Sequence, residues 1–162
     1  MKDKAAKTVF TIGHSTRSIQ EFANLLQSFS IDVLVDIRSF PGSRKYPHYN
    51  KEVLEQHMMN VGMKYVHLRD LGGRRKPNKD SANTAWRNAA FQGYADYMET
   101  DEFKLAIKEL EELAIKQTVA YMCSEAVWWR CHRALISDYL KAKGWAVHHI
   151  MDVGKAKEHP FT

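Results

Sequence analysis

Two cysteines stand eight positions apart in the run C-S-E-A-V-W-W-R-C-H-R, residues 123–133, together with Glu125, Arg130, His132 and Arg133. A thiol becomes a nucleophile at neutral pH when nearby positive charge or a helix N-terminus lowers its pKa. Residues 118–122 have the apolar run of a strand. Residues 126–143 have the pattern of a helix, with Gly144 as its stop. Cys123 is then expected at a strand's carboxyl end, ahead of a helix whose macrodipole would favour the thiolate. Cys123 is the candidate nucleophile and Glu125 a candidate acid or base. The competing reading is an inert buried cysteine, a common interior residue.

Spacing tests sharper versions of this block. A tyrosine-phosphatase loop needs Cys, five residues, then Arg, with glycines that turn the amides inward. Here six residues separate Cys123 from Arg130, no glycine intervenes, and Glu125 would repel a phosphate. Structural zinc would find three of four ligands in Cys123, Cys131 and His132. However, neighbours on a helix point about 100° apart, so Cys131 and His132 would not share an ion. Zinc held by Cys123 with His14 or His149 is marked by no motif. No metal ligand and no cofactor is assigned. Trp128, Cys131, Leu135 and Tyr139 share one helical face at spacings of three and four, which places Cys131 in the core. Arg133 suits an ion pair with a carboxylate as well as a ligand contact.

The elements that position these residues alternate between two periods. Strands are expected at 8–12, 31–37, 64–68, 118–122 and 145–150. Between them, Ser18 and Glu21 form an S-x-x-E capping box. Asn50 is placed to cap a second helix bearing Leu54, Met58 and Val61. Residues 91–98 read as a short aromatic helix, and Thr100 begins a longer one bearing Phe103, Ile107, Leu110 and Ala114. The pattern predicts an α/β fold of three layers: a mostly parallel five-stranded sheet with helices on both faces. It is one domain, with a core over 8–151 and flexible tails at 1–7 and 152–162.

A parallel sheet sends its strand ends to one edge, where ligands bind in open α/β folds. His14 and Ser15, Asp36 and Arg38, Arg69 with Gly72 and Gly73, Cys123 and Glu125, and His149 with Asp152 would meet there. His14 and Asp36 join the candidate proton carriers. Ser15, Arg38, Ser43, Arg44, Gly72, Gly73, Arg74, His132 and Arg133 are the candidate substrate-binding residues. Two basic loops flank the rim. One interleaves Arg38, Arg44 and Lys45 with Phe40, Tyr46 and Tyr49, which suits stacking on bases and gripping phosphates. The other, with Arg74, Arg75, Lys76 and Lys79, reads equally as a solvated loop or a phosphate clamp.

Composition bounds the rest. The chain has 162 residues, 44% hydrophobic and 27% charged, as in a soluble domain. No apolar run approaches the roughly 20 residues that span a bilayer, and residues 1–7 lead into no secretory h-region. Two cysteines make no disulfide framework. A cytoplasmic protein with free thiols and no membrane partner is expected. The formal net charge of +5 suits an anionic small molecule or nucleic acid, or an ordinary basic surface.

The motifs T-I-G-H-S (11–15), V-D-I-R-S-F-P-G-S-R (35–44), H-L-R-D-L-G-G-R (67–74), C-S-E and C-H-R resemble the domain-of-unknown-function 488 family, in the same order from Val9 to about Ile150. The resemblance implies a small cytoplasmic prokaryotic α/β domain without an established reaction. Its signature positions are Gly13, His14, Ser15, Asp36, Arg38, Pro41, Ser43, Arg44, Gly72, Gly73, Cys123, Glu125, Cys131, His132 and Arg133. The expected activity is bond cleavage or group transfer on a nucleotide-like or nucleic-acid substrate. Redox chemistry is set aside because neither C-x-x-C nor G-x-G-x-x-G occurs. The alternatives are a binding module that uses the basic loops and a metal-dependent, hydrolase-like domain.

Overall fold

The computed structural model describes residues 7–42, 44–73 and 89–160. The strands are β1 (Thr8–Gly13), β2 (Val33–Asp36), β3 (Lys64–His67), β4 (Val119–Cys123), β5 (Ala146–Asp152) and β6 (Lys155–Glu158). The helices are α1 (Ile19–Gln27), α2 (Lys51–Asn60), α3 (Ala89–Tyr97), α4 (Asp101–Lys116) and α5 (Arg133–Ala142). The sheet order is β3-β2-β4-β1-β5-β6, with β1 to β5 parallel and β6 antiparallel against β5.

The fold is α/β as expected, but the sheet is mixed and has six strands, not five. The sixth comes from the segment expected to fray. Every residue of β6 is exposed and three of its four are charged, so its hydrophobic pattern is silent. It forms because a turn through Gly154, at φ +67°, folds it back along β5. A charged, solvent-facing strand also blunts the sheet edge against pairing with other chains.

Two cores cover the two faces. Val33, Val35, Tyr121 and Val147 pack against Phe103, Ile107, Leu110, Leu135 and Ile136, so α4 and α5 cover one face, with Tyr94 of α3 beside them. Ile12, Leu34, Tyr65 and Met122 pack against Phe22, Leu26, Leu54 and Met58 of α1 and α2 on the other. The central strands β2 and β4 are buried at every residue, as strands covered on both faces must be.

Local chemistry sets the helix ends. Ser18 and Glu21 form the expected capping box, with bonds of 3.1 and 2.9 Å. Thr100 accepts from the Phe103 amide at 3.3 Å and starts α4. Asn50 occupies the cap position of α2, yet its side chain makes no capping bond. Gly144, at φ +94°, ends α5.

The chain leaves β1 and β2 toward the α1–α2 face, and leaves β3 and β4 toward the α3–α5 face. Strand β4 lies between β1 and β2. The loops therefore diverge on both sides of Cys123, at the carboxyl edge where such folds open a crevice.

Candidate active site around a pair of thiols

The segment after β4 departs most from expectation. The helix begins at Arg133, not at Ala126, and residues 124–132 form a loop containing a single 3-10 turn, Trp128–Arg130. Trp128 drives this. Its buried indole stacks flat on His149, with ring centroids 4.2 Å apart at 5°. Trp128 and Cys131 therefore do not continue the helical face of Leu135. The loop folds back and brings the Cys131 sulfur to 3.0 Å from the Cys123 sulfur.

The helix N-terminus consequently serves Cys131 rather than Cys123. The Arg133 amide, in the first turn of α5, donates to Cys131 Sγ at 3.4 Å. The two thiols divide one proton. The hydrogen bond from Cys123, then the Arg133 charge and amide, bring Cys131 down to about 6 despite its burial. Burial first, then its bond to Cys131, pushes Cys123 well up. The shifts favour the negative charge on Cys131 and the proton on Cys123. Cys131 is also partly exposed, whereas Cys123 is buried.

Arg133, whose amide meets Cys131 Sγ, is itself fully buried. Its Nη2 donates to the carbonyls of Glu125 (2.7 Å) and Ala126 (3.3 Å), and its Nη1 to Thr11 Oγ1 (3.1 Å). Its Nε has no partner. Among the described residues no carboxylate pairs with it. The charges that act on it come from Cys123 and Cys131. A buried cation needs a counter-charge, and the two thiols are the acidic groups that act on it. Gly13 explains how the guanidinium fits, because a Cβ there would strike the Glu125 backbone and lie 2.9 Å from Arg133 Nη2.

A buried polar chain continues from Arg133. Thr11 Oγ1 meets His149 Nδ1 at 2.5 Å. His149 Nε2 meets His159 Nδ1 at 2.8 Å, and His159 Nε2 meets Asp138 Oδ1 at 2.7 Å. A carboxylate only accepts, so His159 donates to Asp138 through Nε2. Burial, then the Arg133 charge, drops His149 to about 2 and keeps it neutral.

A second cluster sits at the same edge on the opposite face. Asp36 is fully buried and accepts four hydrogen bonds: three from the Arg38 amide and guanidinium and one from Tyr65. No lone pair is left over for proton transfer, and Arg38 is neutralised by this ion pair. His14 stacks on Tyr49 at 4.0 Å and 8°. Its Nδ1 bonds the Ser15 carbonyl at 2.8 Å, so Nδ1 carries the hydrogen and Nε2 keeps its lone pair. Burial lowers His14 to about 4. Ser15 turns the chain with φ +50°.

Between the clusters lies a cleft of about 220 Å³ lined by Arg38, Ser39, Phe40, Gly42, Gly73 and Ser124. Phe40 is 69% exposed, with the Arg69 guanidinium 5.0 Å over its ring. Gly73 rests on the His132 ring, leaving no room for a Cβ, and His132 Nε2 bonds the Ile37 carbonyl at 2.9 Å. Gly72 is pressed in the same way against Ser39.

The rim thus gathers His14, Ser15, Asp36, Arg38, Gly72, Gly73, Cys123, Glu125, His132 and Arg133, but splits Asp36 and His14 from the thiols by the thickness of the sheet. Arg44 is exposed. Ser43 and Arg74 lie outside the described residues. Asp152 belongs to the β5–β6 turn, where it accepts from the Val153 amide. Among the described residues no group of three or more His, Cys, Asp or Glu side chains is placed to hold a metal. Both nitrogens of His149 are already bonded, which removes it as a partner for Cys123 in zinc binding. No helix among these residues is long and apolar enough to cross a membrane.

A family model described as "Domain of unknown function DUF488" matches residues 18–140, most of the chain. The protein belongs to the DUF488 family. No curated protein and no solved structure matches the chain. The matched span of this DUF488 chain holds both cysteines, Arg133 and the Asp36–Arg38 pair, but stops short of Thr11, His149 and His159.

Sequence reasoning missed the approach of Cys131 to Cys123 and the chain Thr11–His149–His159–Asp138. The C-H-R triplet was the available signal for the first, since Cys131 directly precedes His132 and Arg133. For the second no local signal exists, because the four residues are scattered from β1 to the segment after β6.

Proposed function

We propose that this DUF488 protein is an enzyme that acts on an anionic, nucleotide-like or nucleic-acid substrate by bond cleavage or group transfer through a cysteine thiolate. Cys131 takes the nucleophilic role that the sequence pattern gave to Cys123, and Cys123 serves as its hydrogen-bond donor. One observation carries the reading: a fully buried arginine, Arg133, whose amide donates to Cys131 Sγ beside a pair of sulfurs 3.0 Å apart. Packing alone does not call for an uncompensated buried arginine, whereas holding a thiolate at neutral pH does.

The surroundings suit the substrate class. The cleft ends at Ser124 and Gly73, next to the two cysteine segments, and its mouth bears the exposed Phe40 ring for stacking on a base. Arg44 and Lys45 are exposed on the loop that forms its wall. His14, neutral with a free Nε2, and the Glu125 carboxylate are the proton carriers at the rim.

The test is protection of the thiolate. Iodoacetamide should alkylate Cys131 with a midpoint near 6, and adenosine monophosphate should slow that reaction more than inorganic phosphate does. An ordinary thiol titration, with no protection by either anion, overturns the reading. A second reading, a nucleic-acid-binding surface without chemistry, is favoured by the exposed Phe40 under Arg69. It predicts salt-sensitive binding of single-stranded oligonucleotide that is unchanged in Cys131→Ser and lost in Phe40→Ala.

A further inference from the structure

We propose that Cys131 and Cys123 together carry out thiol–disulfide exchange, with Cys131 attacking a small-molecule disulfide and Cys123 resolving the product. The inference rests on the Cys131 thiolate described above and adds a reaction that the spacing of the cysteines conceals. Eight positions separate them in sequence, so no C-x-x-C signature announces a dithiol. The fold places their sulfurs 3.0 Å apart.

The two sulfurs differ in the ways the roles require. Cys123 ends β4, a central strand paired on both sides, and is buried. Cys131 lies on the loop between that strand and α5, is partly exposed, and receives the Arg133 amide. An incoming disulfide meets Cys131 first. Its thiolate attacks one sulfur, the S–S bond breaks, and the first small thiolate leaves with the electron pair. The Cys123 thiol then attacks Cys131 Sγ in the mixed disulfide. Its proton passes to the departing second thiolate, and the Cys123–Cys131 disulfide forms. Overall the Cys131 thiolate, the Cys123 thiol and one small disulfide give a protein disulfide, one small thiol and one small thiolate, which takes its proton from water, so atoms and electrons balance. Arg133 faces both sulfurs and offsets the negative charge as it moves from one to the other. The partly exposed thiolate is also the kind of nucleophile such exchange favours, with a pKa near ambient pH.

The experiment uses the full chain, fully reduced, with bis(2-hydroxyethyl) disulfide as the probe, followed by intact-mass and peptide mass spectrometry. The wild type should pass through a transient adduct on Cys131 to a Cys123–Cys131 disulfide, releasing two equivalents of 2-mercaptoethanol. Cys123→Ser should stop at the Cys131 adduct, and Cys131→Ser should stay unmodified. If the serine variants fail to fold, the order of adduct and disulfide in the wild type still decides. A stable Cys131 adduct in wild type, with Cys123 left free, overturns the exchange reaction while leaving the thiolate reading intact. No adduct on Cys131 in any form overturns both.

Discussion

Replacing Arg133 with methionine removes a buried charge while keeping much of the side chain's volume. Thr11 Oγ1 and the Glu125 and Ala126 carbonyls each lose a donor, and the Cys131 thiolate loses its cation. Breaking a buried ion pair from one side costs about 3–5 kcal/mol. The thiol side gives a comparable figure. The fall of Cys131 from 9.0 to about 6 corresponds to ~4 kcal/mol at about 1.36 kcal/mol per unit. Its largest cause is the bond from Cys123, with Arg133 acting after it. Arg133→Met should therefore raise the Cys131 alkylation midpoint by part of that fall and lower urea stability by about 3–5 kcal/mol. The sign with pH follows from linkage. A depressed folded pKa gives stability that is present above the unfolded thiol value and lost as pH falls through the folded one. The gap between wild type and variant should thus be widest above about pH 9 and shrink as pH falls through about 6. A variant within about 0.5 kcal/mol of wild type, with Cys131 still titrating near 6, would refute the assignment of the thiolate as counter-charge.

Other perturbations separate the two faces of the sheet. Asp36→Asn leaves the Arg38 guanidinium without its charge partner and should cost about 3–5 kcal/mol in urea, with the Cys131 alkylation profile unchanged. Gly13→Ala drives a methyl group into the Glu125 backbone; a loss of at least 1–3 kcal/mol, the usual cost of overpacking, is expected (about this size from core insertions), together with slower Cys131 alkylation as Arg133 shifts. Acid should destabilise the protein early. His14 and His149 are held neutral, at about 4 and about 2, against 6.5 when unfolded. The unfolded chain therefore binds the extra protons, and stability should fall as pH drops from about 6.5 toward these values, a slope that urea midpoints across pH would reveal and that His149→Phe should reduce.

The parts of the fold legible in the sequence were those with strong local pattern. Ser18 with Glu21, the apolar run of β2 and the stripe Phe103, Ile107, Leu110 each carry their own period or cap. The rim was legible for a different reason. Parallel strands send their ends to one edge, so His14, Asp36 and Cys123 could be gathered without knowing strand order. Period and edge do not determine face, and Asp36 and Cys123 turned out to point to opposite sides. The helix expected over 126–143 starts late, at Arg133, because Trp128 and Cys131 mimic an apolar stripe while stacking of Trp128 on His149 holds that stretch in a loop. β6 was invisible because an exposed edge strand of Lys and Glu needs no hydrophobic alternation, only a partner.

That same hairpin gives the outermost strand a say in the chemistry at the sheet's centre. His159, just beyond β6, is wholly buried, is tied through its amide to Val147, and accepts from Lys141 through its carbonyl. Each opening of this short, charged hairpin withdraws an imidazole from the chain that ends on Arg133. An exposed edge hairpin of this kind is expected to open locally, apart from global unfolding. In hydrogen exchange, the amide of His159, bonded to Val147, should therefore exchange ahead of the amides of β2 and β4.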